Sequence, residues 1–140
     1  MASEQARLKQ DLKDALERGD ESELRRRLQY LLPGLEFPKD TIVWAFGNNV
    51  TMSRETIQLL MEYGMDINAR YKCFPVYGFY ENDKTALMFA AEKNNLECCR
   101  TLIDHGADVN ASAINGQTAL MFAAEKNNVE CCRTLIDHGA

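Results

Sequence analysis

Long apolar runs are missing from this chain: none of its segments approaches the roughly 20 consecutive apolar residues of a membrane-spanning helix, so no membrane partner is expected. A basic excess is missing too. Sixteen Lys and Arg stand against 21 Asp and Glu, a net charge of -5, which leaves no broad phosphate-neutralising surface and excludes nucleic acid as an expected partner. The stretch Met1 to Asp20 mixes acids and bases and lacks both the apolar core and the small-residue cleavage site of a secretory signal. Cysteine pairing of the secreted kind is absent as well. The five cysteines are odd in number, and Cys98-Cys99 and Cys131-Cys132 are adjacent pairs inside amphipathic segments, with Cys73 alone. Reduced thiols in an intracellular compartment, the cytoplasm, are the expectation. No nucleophile-base pair, glycine-rich phosphate loop or metal-ligand spacing occurs, so neither an enzyme nor a cofactor is expected within these residues. What is present is ordinary for one globular domain or one short repeat array: 140 residues, 46% hydrophobic and 26% charged.

The main positive signal is a repeat. Thr85-Ala86-Leu87-Met88-Phe89-Ala90-Ala91 returns 33 residues later as Thr118-Ala119-Leu120-Met121-Phe122-Ala123-Ala124, and between 85–107 and 118–140 only Leu96 against Val129 differs. Each copy reads as helix, tight turn, helix. Thr85 and Thr118 are suited to cap the first helix, because a side-chain oxygen can accept from a free first-turn amide. Asn94-Asn95 and Asn127-Asn128 supply the turn, since Asn tolerates the left-handed conformation that closes a helix. The second helix is expected over Glu97 to His105 and Glu130 to His138, with Gly106 and Gly139 as stops. Asn115-Gly116 reads as a tight hairpin-type turn between the copies.

A period of 33 is that of ankyrin units. The runs Thr-Ala-Leu-Met-Phe-Ala-Ala and Leu-Ile-Asp-His-Gly-Ala-Asp-Val-Asn-Ala resemble the ankyrin signatures Thr-Pro-Leu-His and Gly-Ala-Asp-Val-Asn, specifically over residues 81–140 and less so over 41–70. The resemblance implies an all-α solenoid of stacked helix-turn-helix units with hairpin-type loops, whose job is to bind a partner protein. Ala86 and Ala119 replace the usual Pro, and Met88 and Met121 the usual His. The second change removes a Thr to His hydrogen bond, so the junction into the first helix is expected to rely on Met packing.

Residues 41–70 fit a degenerate unit: Thr41 to Gly64 spans 23 positions where Thr85 to Gly106 spans 21, placing an insertion near Val50 to Ser53, with Ser53 as a cap for the second helix. Leu8, Leu12, Ala15 and Leu16 form a stripe at helical spacing that Gly19-Asp20 breaks, and Leu24, Leu28, Leu31 and Leu32 form another that Pro33-Gly34 ends. Residues 5–32 are thus expected to be a polar N-terminal cap. The domain plan is a single array: cap 5–32, degenerate repeat 41–70, loop insertion 71–80, repeat 81–113 and repeat 114–140, the last truncated. Ala140 directly follows a near-copy unit with no atypical polar repeat, so either the array continues or this face packs on something, and end-to-end self-association is one form of such packing.

Asn68 to Thr85 spans 17 positions against 8 for Asn110 to Thr118, and half of residues 71–80 are aromatic: Tyr71, Phe74, Tyr77, Phe79 and Tyr80. Two readings stay open. The rings are interface anchors on a binding loop, or the loop folds back and buries them on its own repeats. The resemblance further implies that hairpin tips and the first-helix surface form a concave binding face. Carried onto this sequence, the contact residues are Asn82, Lys84, Glu92 and Lys93, then Ile114, Asn115, Gln117, Glu125 and Lys126, and the anchor reading of the loop adds Tyr77, Phe79 and Tyr80. Phe89 and Phe122, on the same helices, are assigned to inter-repeat packing. The cysteine pairs are read as small buried apolar residues, because adjacent helical side chains diverge by about 100° and cannot grip one ion as a Cys-x-x-Cys turn does. Arg25-Arg26-Arg27 is read as a solvated face balanced by Glu17, Asp20, Glu21 and Glu23. A substrate-targeting or regulatory segment of a larger enzyme or effector is the alternative function, and a thiol-based sensor a weaker third.

Overall fold

The computed structural model describes residues 2–29, 41–47, 50, 52–71, 83–113 and 116–140. Among them the chain forms eight helices and no strand: α1 Ala2–Arg18, α2 Glu21–Gln29, α3 Thr41–Gly47, α4 Arg54–Glu62, α5 Ala86–Glu92, α6 Leu96–Asp104, α7 Ala119–Glu125 and α8 Val129–Asp137. Helices α3, α5 and α7 stack in one row and α4, α6 and α8 in a second, while α1 pairs with α2 and reaches α3. Each unit therefore covers its neighbour, and the core runs continuously from Leu12 through Ile42, Ile57, Leu87, Phe89 and Leu102 to Leu135. Burying each such side chain contributes about 1.5–3 kcal/mol before conformational entropy is set against it.

The helix boundaries follow from capping chemistry. Gly19 takes φ +67 to end α1, and the Asp20 carboxylate accepts from the Glu23 amide at 3.0 Å to start α2. Ser53 Oγ accepts from the Thr56 amide at 3.2 Å, as its position predicts. Thr85 and Thr118 accept from the amides of Met88 and Met121, both at 3.4 Å. Asn94 and Asn127 hold φ of 57 and 59, the left-handed turn expected of them. The second helix of each copy begins one residue earlier than the sequence pattern suggests, at Leu96 and Val129, and His105 and His138 become its caps. Their Nδ1 atoms donate to the carbonyls of Thr101 at 2.9 Å and Thr134 at 2.7 Å, so the imidazoles satisfy helix-end acceptors.

Leu12, Ala15 and Leu16 of α1 and Leu24 and Leu28 of α2 are buried as their spacing implies; Leu31, Leu32 and Pro33-Gly34 lie outside the described residues. The arginine run is balanced by nearby acids: Arg25 pairs with Glu21 at 3.5 Å, Arg26 with Glu23, and Arg27 with Glu23 at 2.7 Å and Asp11 at 2.8 Å. Arg27 foremost, with Arg26, holds the Glu23 carboxyl below its ordinary range.

Candidate partner-binding surface

Asn-bearing loops tie the units together. Asn68 Oδ1 accepts from the Asp108 amide at 2.8 Å and its Nδ2 donates to the Gly106 carbonyl at 3.4 Å, while Asn110 Nδ2 donates to Gly139 at 3.3 Å. Arg70 donates to the Asp83 carbonyl at 3.0 Å and the Ser112 carbonyl at 2.7 Å, so one side chain of the first unit holds both ends of the second. Between the last two units, Ala113 donates to Gln117 at 2.8 Å and Ser112 bridges Thr118, so the loop around Gly116, at φ +77, is the hairpin-type turn the sequence suggests.

The nine-residue insertion has a closed base. The Tyr71 amide donates to the Lys84 carbonyl at 2.8 Å and the Asp83 amide to the Tyr71 carbonyl at 2.7 Å. The Tyr71 ring turns inward, meeting Phe89 edge-on at 5.5 Å, and it fills the space a Cβ on Gly47 would need. For this one ring the folded-back reading holds. Phe74, Tyr77, Phe79, Tyr80 and Asn82 lie outside the described residues, as do Ile114 and Asn115 at the other hairpin and Cys73.

The remaining expected contact residues divide by environment. Lys84 is 3% exposed: its ammonium bonds Glu92 Oε2 at 2.7 Å and sits 4.5 Å from the Phe122 ring centroid and 5.2 Å from that of Phe89. As a surface contact Lys84 is therefore corrected, because two aromatic faces and one carboxylate already take up its charge and hold it inside the stack. Glu92 is half-buried through the same pair. Lys93 is exposed, yet its Nζ donates to the Phe46 carbonyl at 2.8 Å, capping the C-terminal end of α3. Gln117, which occupies the Lys84 position of the next unit, is half-exposed, and Glu125 and Lys126 are fully on the surface.

Sequence reasoning missed two groups. Asn128 Nδ2 donates to the carbonyls of Ala91 at 2.7 Å and Glu92 at 3.1 Å, so it closes the end of α5 from the neighbouring unit. Met88 Sδ accepts from the Thr85 amide at 3.4 Å while Thr85 Oγ1 accepts from Met88, a reciprocal cap in which a thioether stands where the family carries an imidazole. Reliance on Met at that junction was legible; the sulfur acting as acceptor was not.

The described cysteines are free, and Cys98, Cys99 and Cys131 are buried in the seam between units. Cys98 donates to the Met52 carbonyl at 3.5 Å, Cys131 to Asn94 Oδ1 at 3.5 Å, and Cys99 Sγ lies 3.9 Å from Cys131 Sγ. Burial, assisted by Glu97, pushes the Cys98 thiol up to about 11, and burial raises Cys99 and Cys131 as well. Among the described residues no three His, Cys, Asp or Glu side chains come together to hold a metal, and no helix is long and apolar enough to cross a membrane.

Paired helices stacked in two rows, joined by hairpin-type loops, define a solenoid repeat protein. A family model described as ankyrin repeats, in three copies, matches residues 42–140. The chain belongs to the ankyrin-repeat family, whose units are generally protein-protein interaction modules. Among solved structures it is similar to the ankyrin repeat domain of Bcl-3, described as a unique member of the IkappaB protein family, at 30% identity and a TM-score of 0.72. The match covers 90% of this chain and spans 54% of that domain.

Proposed function

We propose that this chain is a non-catalytic recognition module that grips a partner protein along the edge where α5 and α7 lie side by side, in a reducing, cytoplasmic setting. One observation carries this reading: α5 packs directly on α7, so Glu92 and Glu125, and Lys93 and Lys126, recur one unit apart along the same edge. A rigid row of this kind loses little ordering entropy on docking. On that edge Lys93, Glu125 and Lys126 are exposed and Gln117 half-exposed, and of these Lys93 is tied back to the Phe46 carbonyl. The loop tips carrying Tyr77, Phe79, Tyr80, Asn82, Ile114 and Asn115 extend the same surface in this reading. Lys84 and Glu92 serve it indirectly, by fixing how α5 sits against α7.

The test uses the full chain as bait. A Gln117→Ala, Glu125→Lys, Lys126→Glu variant is expected to keep its helical content and to lose at least about tenfold in affinity for captured protein partners, since hot spots cost upward of about 2 kcal/mol. Unchanged capture by the folded variant would remove this edge from the interface.

A further inference from the structure

Four cysteines of the described residues, all free, lie as two adjacent pairs on α6 and α8. Neighbouring residues of a helix point about 100° apart, so the two members of a pair serve different neighbours. Cys98 donates to the Met52 carbonyl and Cys131 to Asn94 Oδ1, each in the unit before its own, while Cys99 is turned toward the unit after its own. Where α6 lies on α8, a forward-facing and a backward-facing thiol meet: Cys99 Sγ is 3.9 Å from Cys131 Sγ, and both side chains are buried. The junction between the first two units cannot repeat this meeting, because α4 carries Thr56-Ile57 in the register of Cys98-Cys99. Alanine or valine would fill the seam between α6 and α8 as small apolar residues, but neither brings two thiols into contact.

We propose that Cys99 and Cys131 form a redox-responsive staple: a peroxide joins them as a disulfide that fastens α6 to α8, and a thiol reductant releases it. The inference rests on the stacking fold and not on the partner-binding edge. A disulfide is about 2.05 Å long, so the sulfurs must close by about 1.9 Å, most of which an adjustment of about 30° in each χ1 supplies. The roles within the pair follow from their surroundings. Burial raises both thiols, but at Cys131 the hydrogen bond from Cys99 and the charge of Arg100 oppose it, and Asn94, its other partner, is exposed. Cys131 thus ionises first. Its thiolate attacks one oxygen of hydrogen peroxide, breaking the O–O bond to give the sulfenic acid and hydroxide. That hydroxide takes the Cys99 proton and leaves as water. The Cys99 thiolate then attacks Cys131 Sγ, forming the S–S bond and expelling a second hydroxide, which recombines with the proton Cys131 released at the start. Two thiols and one peroxide become one disulfide and two waters. The link closes a loop one repeat long, which removes chain entropy from the opened state and holds the two units together.

The test uses the full chain carrying Cys73→Ser, Cys98→Ala and Cys132→Ala, which keeps this pair alone. Hydrogen peroxide is expected to join the peptide holding Cys99 to the peptide holding Cys131 within one chain, seen by mass spectrometry without reduction, and dithiothreitol to return both thiols. The linked chain is expected to unfold at a midpoint at least about 5 °C above that of the reduced chain, and the amides of α8 to exchange at least about tenfold more slowly. Adding Cys99→Ala or Cys131→Ala is expected to abolish both effects of peroxide. Should the triple variant lose helical content, the unsubstituted chain is oxidised instead and its link located by fragmentation; a pairing other than Cys99 with Cys131 overturns the proposal. Conversion of the two thiols to sulfinic acids without a link, or links formed only between chains, overturns it too. A link that forms but lowers the unfolding midpoint contradicts the staple.

Discussion

Residues 85–107 and 118–140 differ at one position, Leu96 against Val129, yet they do not lead the same physical life. Met88 is buried and its sulfur closes a cap, whereas Met121 is half in water with no such role. Asn95 caps its own helix by accepting from the Cys98 amide at 3.2 Å, whereas Asn128 reaches across to two carbonyls of the preceding unit. Cys99 is buried and Cys132 half-buried. The local sequence determines the helices, but the neighbouring unit determines the energy each side chain carries. In a stack of this kind, one interior and one terminal copy of a residue are a natural experiment on burial.

The largest test of that contrast is truncation of the methionines. Met88→Ala is expected to cost about 2–5 kcal/mol and Met121→Ala within about 0.5 kcal/mol, read from chemical denaturation. Equal losses would mean that the two faces are equally covered. Next in size is Lys84→Gln, which gives the second unit the residue that Gln117 supplies in the third. It removes the ammonium from between Phe89 and Phe122 and leaves Glu92 without its partner, for an expected loss of about 1–3 kcal/mol. The reverse change, Gln117→Lys, is expected to lie within about 0.5 kcal/mol, because the third unit has no following ring to receive the charge among the described residues. Asn128→Ala strands two carbonyls at the end of α5 and is expected to cost about 1–2 kcal/mol, against about 1 kcal/mol for Asn95→Ala, which loses a single cap.

How far these features were legible follows from the range of the interactions. The period of 33, the threonine and serine caps and the left-handed asparagines are all written within a few residues of where they act, and they appear where the sequence puts them. Lys84 was misplaced because a charged residue in a hairpin ordinarily faces water. The rings that hold it are Phe89, nearby in sequence, and Phe122, a whole unit away. No local pattern encodes that meeting. The same limit separates Asn95 from Asn128, whose flanking residues are almost identical while their partners are not. At the proposed binding edge, residue types at the ends of α5 and α7 were readable, but which of them lie exposed was decided by stacking.

A further expected effect is on pH dependence, confined to strongly alkaline solution. Burial raises Cys98 from an ordinary 9.0 to about 11, so the folded protein holds this proton more tightly than the unfolded chain. That contribution to stability is complete below pH 9.0 and is lost as pH climbs through about 11. Unfolding midpoints measured over this window should fall with rising pH, and Cys98→Ala should flatten the slope. A slope that Cys98→Ala leaves unchanged would show that the thiol is as open as in the unfolded chain.

Stacking itself is tested most directly by thiol labelling of the native protein at mildly alkaline pH with site-resolved mass spectrometry. Cys132 is expected to react at least about tenfold faster than Cys98, Cys99 and Cys131, whose thiolates are suppressed by burial in the seam between units. Four cysteines labelled at one common rate would mean that the units do not cover one another, and would contradict the account at its base.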